Sequence, residues 1–281
     1  MIARRKFLQT AGLGVVGLGM PALPALAGPA GKAGPSAMPL KMGIAGYTFL
    51  HVPPEQGIAM MKRVGVEALS IKDFYLPLDS NEEVIQGVVG KFAAAGIRIY
   101  AAGVIYMKTQ AEVDRAFDYA KKLGTDLIIG VPNPELLGYT ELKVKAYNIR
   151  VAIHNHGPED KLYPSPVDVY DHIKGLDQRI GLCLDIGHAA RAGADIVKVV
   201  ADYGPRILDM HIKDLSVIAR ESRPIELGRG VLDIVGLVKA LIRMRYAGYC
   251  SIEHEMDMND PLPGIAESAG YFRGVQATAS H

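Results

Sequence analysis

Eight short apolar segments, separated by amphipathic helical segments, predict an α/β fold, a single (β/α)8 TIM barrel. Three observations support this fold class. The alternation runs without an internal boundary from residue 41 of the 281-residue chain, a length typical of such a barrel. No Gly-rich phosphate-binding loop follows the first strand, as a doubly wound open sheet would more often show. Histidines and carboxylates collect where the later strands end, and barrels of this class carry their chemistry at those ends.

The predicted elements follow one another in strand–helix order. The strands are predicted at Lys41–Ala45, Val66–Ile71, Ile97–Ala102, Asp126–Gly130, Arg150–His154, Ile180–Asp185, Ile207–Ile212 and Tyr249–Glu253. The helices between them are predicted at Glu55–Val64, Asn81–Ala95, Gln110–Leu123, Glu135–Tyr147, Val167–Leu176, Ile196–Tyr203 and Val231–Met244. Gly96 and Gly124 are typical C-terminal caps, and Thr109 with Glu112 forms a capping-box pattern.

Composition and charge exclude several classes of function. Lys and Arg number 31 and Asp and Glu number 30, so no strong field would recruit nucleic acid or an anionic membrane. The chain is 49% hydrophobic, too apolar to be disordered. Its two cysteines, Cys183 and Cys250, are too few for a disulfide framework.

The amino-terminal segment has the pattern of an export signal. A basic start with Arg4 and Arg5 precedes a Gly-rich apolar run and an A-x-A cleavage pattern that ends at Ala27. The twin arginines resemble the twin-arginine signal, which predicts a periplasmic protein with a signal peptide at 1–27. An ordinary Sec signal or an uncleaved anchor remains an alternative. The run is too short for a stable membrane span, residues 28–40 are predicted to be a flexible lead-in, and the barrel is predicted over 41–281.

Residues of the types that bind metals lie at the ends of the last four predicted strands. Five of the eight histidines are in these windows: His154, His156, His188, His211 and His254. The carboxylates beside them include Asp185, Glu253 and Glu255. With Asp185 taken as inward, period-two alternation places Cys183 on the same inner face. With Glu253 taken as inward, it places Cys250 on the outer face, so the two thiols should stay reduced. A histidine such as His254, taken alone, is more often an ordinary core or surface residue.

A set of motifs in this order resembles one family. The motifs are Asn155-His156-Gly157, Leu184-Asp185-x-Gly-His188, His211-x-Lys213-Asp214, Glu226-Leu-Gly228-Arg-Gly230 and Ile252-Glu253. From about residue 41 to 275 the chain resembles the sugar phosphate isomerase/epimerase family of xylose isomerase-like TIM barrels. Ketose 3-epimerases of that family bind one divalent metal through Glu, Asp, His and Glu on strands five to eight. The resemblance assigns the last three ligands to Asp185, His211 and Glu253, and a substrate-contacting histidine to His188.

The first ligand position departs from that pattern, because His154 stands where the epimerases have glutamate. Two imidazoles and two carboxylates favour Mn, Fe, Co or Zn over Mg. A metal-bound imidazole also offers no free lone pair for proton transfer when its other nitrogen is protonated, which argues against symmetric epimerisation by two glutamates.

With symmetric epimerisation by two glutamates disfavoured, the predicted mechanism is metal-assisted proton abstraction next to a carbonyl of a small carbohydrate. Glu253 is predicted as ligand and base, with His156 or His188 as the second acid or base. Lys72, Lys213 and Glu226 are predicted to bind substrate, and the loop Leu215–Pro224 is the predicted lid. The outcome is epimerisation, isomerisation or, if an oxygen departs, β-elimination of a 3-keto-glycoside.

Three other classes of protein remain as alternatives. A zinc endonuclease would need more ligands on the early strands and a basic rim. A non-catalytic sugar-binding or partner subunit would have lost tight metal binding. A metal-handling protein would bind metal without sugar-dependent proton exchange. The oligomeric state is left open.

Overall fold

The computed structural model describes residues 39–279. The predicted signal peptide at 1–27 and residues 28–38 of the predicted lead-in lie outside the described residues, and both stay predictions. Among the described helices, none combines the length and apolar character that a membrane crossing requires.

Eight parallel strands close into a barrel, which confirms the predicted fold class. The barrel strands are β1 Lys41–Ala45, β2 Ala68–Ile71, β3 Arg98–Met107, β4 Leu127–Pro132, β5 Arg150–His154, β6 Ile180–Asp185, β7 Ile207–Ile212 and β10 Tyr249–Ile252. The antiparallel strands β8 Asp214–Leu215 and β9 Pro224–Ile225 form a hairpin outside the barrel. Strand β3 runs five residues beyond its predicted end, and this extension carries Tyr106 to the mouth of the barrel.

Helices follow the strands around the outside of the barrel. They are α1 Pro54–Val64, α2 Glu82–Ala94, α3 Gln110–Leu123, α4 Leu137–Tyr147, α5 Pro166–Ile173, α6 Ile186–Arg191, α7 Ile196–Tyr203, α8 Ile234–Arg243 and α9 Leu262–Ala279. The predicted capping box of Thr109 and Glu112 is present, and Gly124 ends α3 with φ +72°. Sequence reasoning did not predict α6, which has only six residues, or α9, which contains three glycines. Helix α9 packs its Ile265 and Phe272 side into the outer core.

Period-two alternation holds on the strands that carry the site. On β6, Cys183 belongs to the cluster inside the barrel, whereas Cys250 on β10 packs in the outer core. Both cysteines are free thiols, as the alternation predicts. Below the mouth, the interior contains a buried polar group in which the Tyr100 hydroxyl donates to Asp209 at 3.2 Å and lies 2.5 Å from the Ser251 hydroxyl. Burial raises the pKa of Asp209 to about 7.

The segment that contains Glu226 and Gly230 is held in place by one buried carboxylate. Asp214 accepts backbone hydrogen bonds from Gly228 at 3.0 Å and from Gly230 at 3.1 Å. A Cβ atom on Gly230 would lie 2.1 Å from the Asp214 carboxylate, so glycine is required there. Asp214 and this segment therefore fix the path of the chain after the hairpin.

Candidate metal centre

Four buried side chains meet at the mouth of the barrel. His154, Asp185, His211 and Glu253 each offer one ligand atom, and these atoms all lie within 4.8 Å of one another. The Nε2 atom of His154 is 3.1 Å from Nδ1 of His211 and 3.6 Å from Oδ2 of Asp185. Nδ1 of His211 is 3.3 Å from Oε1 of Glu253. None of the four residues is more than 7% exposed.

Hydrogen bonds between side chains and the backbone at the ends of β5 and β6 hold these residues in position. The side-chain amide of Asn155 forms two hydrogen bonds with the backbone of Asp185. Its Nδ2 donates to the Asp185 carbonyl and its Oδ1 accepts from the Asp185 N–H, at 3.0 Å each. Asp185 caps α6 by accepting from the backbone N–H of His188 at 2.8 Å. A Cβ atom on Gly187 would lie 2.7 Å from the side chain of Lys213, so this glycine gives the lysine its space.

The four residues fit a divalent metal. Two imidazole nitrogens and two carboxylate oxygens are a donor set typical of first-row divalent metals. Oδ2 of Asp185 is buried and its one close cation among the described residues is the Lys213 ammonium at 3.1 Å, so this oxygen keeps a lone pair for a metal. Cys183 forms a second candidate group with the same two histidines, but the four-residue group does not include it.

Lys213 places a positive charge beside the two ligand carboxylates. Its Nζ atom is 3.1 Å from Oδ2 of Asp185 and 2.7 Å from Oε2 of Glu253, and it also contacts Glu255. The lysine is 4% exposed. Its predicted role was to bind substrate; in the structure its ammonium is engaged by these three carboxylates.

The electrostatic environment favours cation-binding protonation states at His154, Asp185 and Glu253, but not at His211. Burial lowers the pKa of His154 to about 4, so its imidazole is neutral at neutral pH. Burial alone would raise the pKa of Asp185 and of Glu253, but the Lys213 ammonium holds both well below their usual range. Burial also opposes protonation of His211, but the Glu253 carboxylate overrides it and raises the pKa of that imidazole.

A cavity of about 310 Å³ opens directly above this centre. His154, His211 and Glu253 line it, together with the predicted substrate residue Lys72 and the predicted acid–base residues His156 and His188. The ammonium of Lys72 donates to the carbonyl of Val104 at 2.9 Å and lies 3.1 Å from Asp73.

The two cavity histidines have partners of their own. Nε2 of His156 is 3.0 Å from the Tyr106 hydroxyl, and Nδ1 of His188 is 3.2 Å from the guanidinium of Arg191. Their ring centroids are 6.0 Å apart. Burial lowers the pKa of both histidines, so both are neutral at physiological pH.

One predicted substrate residue lies elsewhere. Glu226 is not among the residues that line the cavity, because Asp214 holds its segment toward the buried His254. Its predicted contact with substrate therefore gains no support from the geometry and stays a prediction.

Tyr106 and Glu255 line the cavity, and neither was assigned a role from the sequence. Tyr106 was missed because β3 was predicted to end at residue 102. The signal for Glu255 was present, because period-two spacing from Glu253 places it on the same side of the chain.

Comparison with known proteins agrees with this architecture. A family model described as the xylose isomerase-like TIM barrel matches residues 104–275, more than half of the chain. The chain belongs to this family. The chain is also similar to the rhizopine catabolism protein MocC of Rhizobium meliloti, with 26% identity over 136 residues. That match covers 43% of this chain and 41% of the length of MocC, so less than half of the curated relative is represented.

Two solved structures share the fold at lower identity. The IolI protein with a bound zinc atom superposes with a TM-score of 0.70 at 15% identity, covering 86% of this chain and 98% of that one. The 3-keto-D-glucoside 4-epimerase YcjR from E. coli gives a TM-score of 0.69 at 16% identity, covering 84% and 99%. At these identities the similarity establishes the shared barrel.

Proposed function

We propose that this protein is a divalent-metal-dependent isomerase or epimerase that removes a proton next to the carbonyl of a keto-sugar. The observation that carries the proposal is the convergence of His154, Asp185, His211 and Glu253 beneath a cavity of about 310 Å³. Membership in the xylose isomerase-like family supports it. The named neighbours add that this fold hosts zinc binding in one protein and sugar epimerisation in another.

The metal would be held by those four residues. Two imidazole ligands favour Mn, Fe, Co or Zn over Mg. When bound, such a cation would polarise a substrate carbonyl and stabilise the negative charge that develops on its oxygen.

The surrounding side chains supply orientation and proton transfer. Lys72 uses two of its three N–H donors on Val104 and Asp73, which leaves one for a substrate oxygen. His156 and His188 line the cavity as neutral imidazoles, and a neutral imidazole can donate a proton from one nitrogen and accept one at the other. Their positions suit protonation of a reacting oxygen or carbon.

Two tyrosines that line the cavity suit the apolar face of a sugar ring. Tyr47, after β1, and Tyr106, on β3, both line the cavity with side chains 39% and 46% exposed. Aromatic rings present an apolar face and a hydroxyl together, which matches the mixed surface of a carbohydrate. With one partly engaged lysine as the cavity's accessible cation among the described residues, a neutral sugar fits better than a phosphorylated one.

A second candidate is β-elimination from a 3-keto-glycoside. His154 in place of a glutamate favours it, because a metal-bound imidazole cannot act as a second carboxylate base on the opposite face of the substrate. In this reaction His156 or His188 would protonate the departing oxygen.

Solvent deuterium uptake tests the proposal. Mn-loaded protein is incubated in D₂O with a panel of ketoses and 3-keto-glucosides, and deuterium at the carbon next to the carbonyl is measured by NMR. We expect uptake by the wild type, loss by roughly 100-fold or more in His154→Ala, and wild-type rates in His51→Ala, which alters an exposed histidine outside the cavity. Release of the aglycone would indicate β-elimination rather than isomerisation or epimerisation. A metal-loaded wild type that exchanges no substrate proton would contradict the proposal and leave a binding or partner role.

We also propose that the protein is exported by the twin-arginine route to the periplasm, on the basis of Arg4 and Arg5. Replacing both with lysine should leave the protein unprocessed in the cytoplasm. Equal periplasmic amounts of wild type and double variant would contradict this route.

A further inference from the structure

Glu255 is a second carboxylate beside the metal centre. It follows Glu253 by two residues, and both side chains line the cavity. The ammonium of Lys213 contacts both of them, at 2.7 Å from Oε2 of Glu253 and at short range from Oε1 of Glu255. The side chain of Glu255 is 28% exposed, against 8% for Glu253, so Glu255 is the more solvent-accessible of the two.

The two carboxylates differ in which oxygen atoms are free. Glu253 has Oε1 facing His211 at 3.3 Å and Oε2 on Lys213 at 2.7 Å, so both of its oxygens are engaged. Glu255 has Oε1 on Lys213, and no hydrogen bond or ion pair from the described residues reaches Oε2. A general base needs a free lone pair within reach of substrate, and a carboxylate held at one oxygen is oriented without losing the other.

We propose that Glu255, rather than the ligand Glu253, is the catalytic base of the proton transfer, and that Lys213 orients it. This inference rests on the proposed function and assigns its central step to a residue outside the ligand set. It also assigns metal binding and proton transfer to different residues. Glu253 uses its lone pairs to bind the metal and Lys213, and Glu255 accepts the proton from the substrate.

The step balances without a further reactant. Oε2 of Glu255 takes a proton from the carbon next to the carbonyl, and the C–H electron pair forms a carbon–carbon double bond as the carbonyl oxygen takes the negative charge. Return of the proton, or of a deuteron from solvent, restores a carbonyl and the free carboxylate. When the neighbouring carbon is the one protonated, the hydroxyl proton passes to the former carbonyl oxygen, and the product is the isomer.

Glu255→Gln is the informative variant, because its amide oxygen can still accept from Lys213 and so keeps the buried lysine satisfied. We expect it to retain the wild-type metal content by elemental analysis and to bind the unreactive polyol xylitol within about threefold of wild type. Deuterium uptake into a keto-sugar should fall by roughly 100-fold or more. Glu253→Gln should instead lose the metal, and Glu83→Gln, an exposed change in the first turn of α2, should behave as wild type.

Two results would overturn the assignment. Exchange by Glu255→Gln within threefold of wild type would show that another group takes the proton. Loss of metal from Glu255→Gln to the extent seen in Glu253→Gln would make Glu255 a ligand rather than the base. Failure of the proposed function is a separate observation, because metal-loaded wild type would then exchange no substrate proton, and the assignment would fall with it.

Discussion

Replacing Lys213 with glutamine removes the positive charge that the buried Asp185 and Glu253 share with the half-buried Glu255. In the metal-free protein this change leaves Asp185 and Glu253 without their nearest cation, in a site that is almost completely buried. We therefore expect Lys213→Gln to destabilise the metal-free protein strongly and a bound divalent cation to restore much of that stability.

The magnitude follows from the two distances. At 2.7 and 3.1 Å, each charge pair attracts by about 5–6 kcal/mol at an effective dielectric constant of about 20, and the loss of hydration on burial offsets most of that attraction. Breaking a buried pair on one side costs about 3–5 kcal/mol, because the remaining charge is left uncompensated. A matched surface pair provides the control: Lys198 lies 2.8 Å from Asp202 but is 70% exposed, so Lys198→Gln should cost less than about 1 kcal/mol.

Urea unfolding measures the effect in EDTA-treated protein and again with saturating Mn²⁺. Lys213→Gln should lose about 3–5 kcal/mol without metal, and Mn²⁺ should stabilise this variant more than it stabilises the wild type. A metal-free Lys213→Gln protein as stable as Lys198→Gln would refute the idea that the lysine compensates the ligand carboxylates.

Three further predictions concern the support of the site. Because the folded-state pKa of His154 is lowered from 6.5 to about 4, the metal-free protein should lose about 3 kcal/mol of stability as the pH falls from 6.5 to 4. In urea unfolding, His154→Gln should reduce this dependence of the unfolding free energy on pH. An unchanged pH dependence would contradict its attribution to His154. Asn155→Ala leaves two backbone groups at the end of β6 unpaired, so it should cost roughly 2–4 kcal/mol and weaken Mn²⁺ binding about tenfold, measured by competition titration; unchanged affinity would argue against a positioning role. Gly264→Ala would place a Cβ atom 2.1 Å from the His254 ring and should lower stability by roughly 1–3 kcal/mol, whereas Gly270→Ala has open space and should be neutral or stabilising; equal thermal melting of the two variants would contradict this packing.

The barrel was predictable because its elements carry strong local signals. Strands β5, β6 and β7 begin and end at their predicted residues, since each is a short apolar run that leads directly into polar site residues. With Asp185 taken as inward, the inward placement of Cys183 followed from period-two alternation. The convergence of the four ligand residues likewise follows from the closure of parallel strands, whose carboxyl ends meet at one mouth.

The arrangement around those residues depended on contacts that no local pattern encodes. The engagement of Lys213 by three carboxylates requires strands β6, β7 and β10 to be neighbours and Gly187 to leave room for its side chain. The extension of β3 that brings Tyr106 over His156 is stabilised by pairing with β4, which sequence periodicity does not reveal. The displacement of Glu226 from the cavity likewise depends on the tertiary hydrogen bonds of Asp214.

The metal content of the purified protein tests the central claim most directly. Elemental analysis of wild type, His154→Ala and the exposed-site control His51→Ala, each dialysed against Mn, Fe, Co and Zn salts and then against metal-free buffer, gives the ion and its stoichiometry. The account predicts about one divalent ion per chain in the wild type and the control, and almost none in His154→Ala. Absence of bound metal from the wild type, or equal metal in His154→Ala, would contradict a metal centre formed by His154, Asp185, His211 and Glu253.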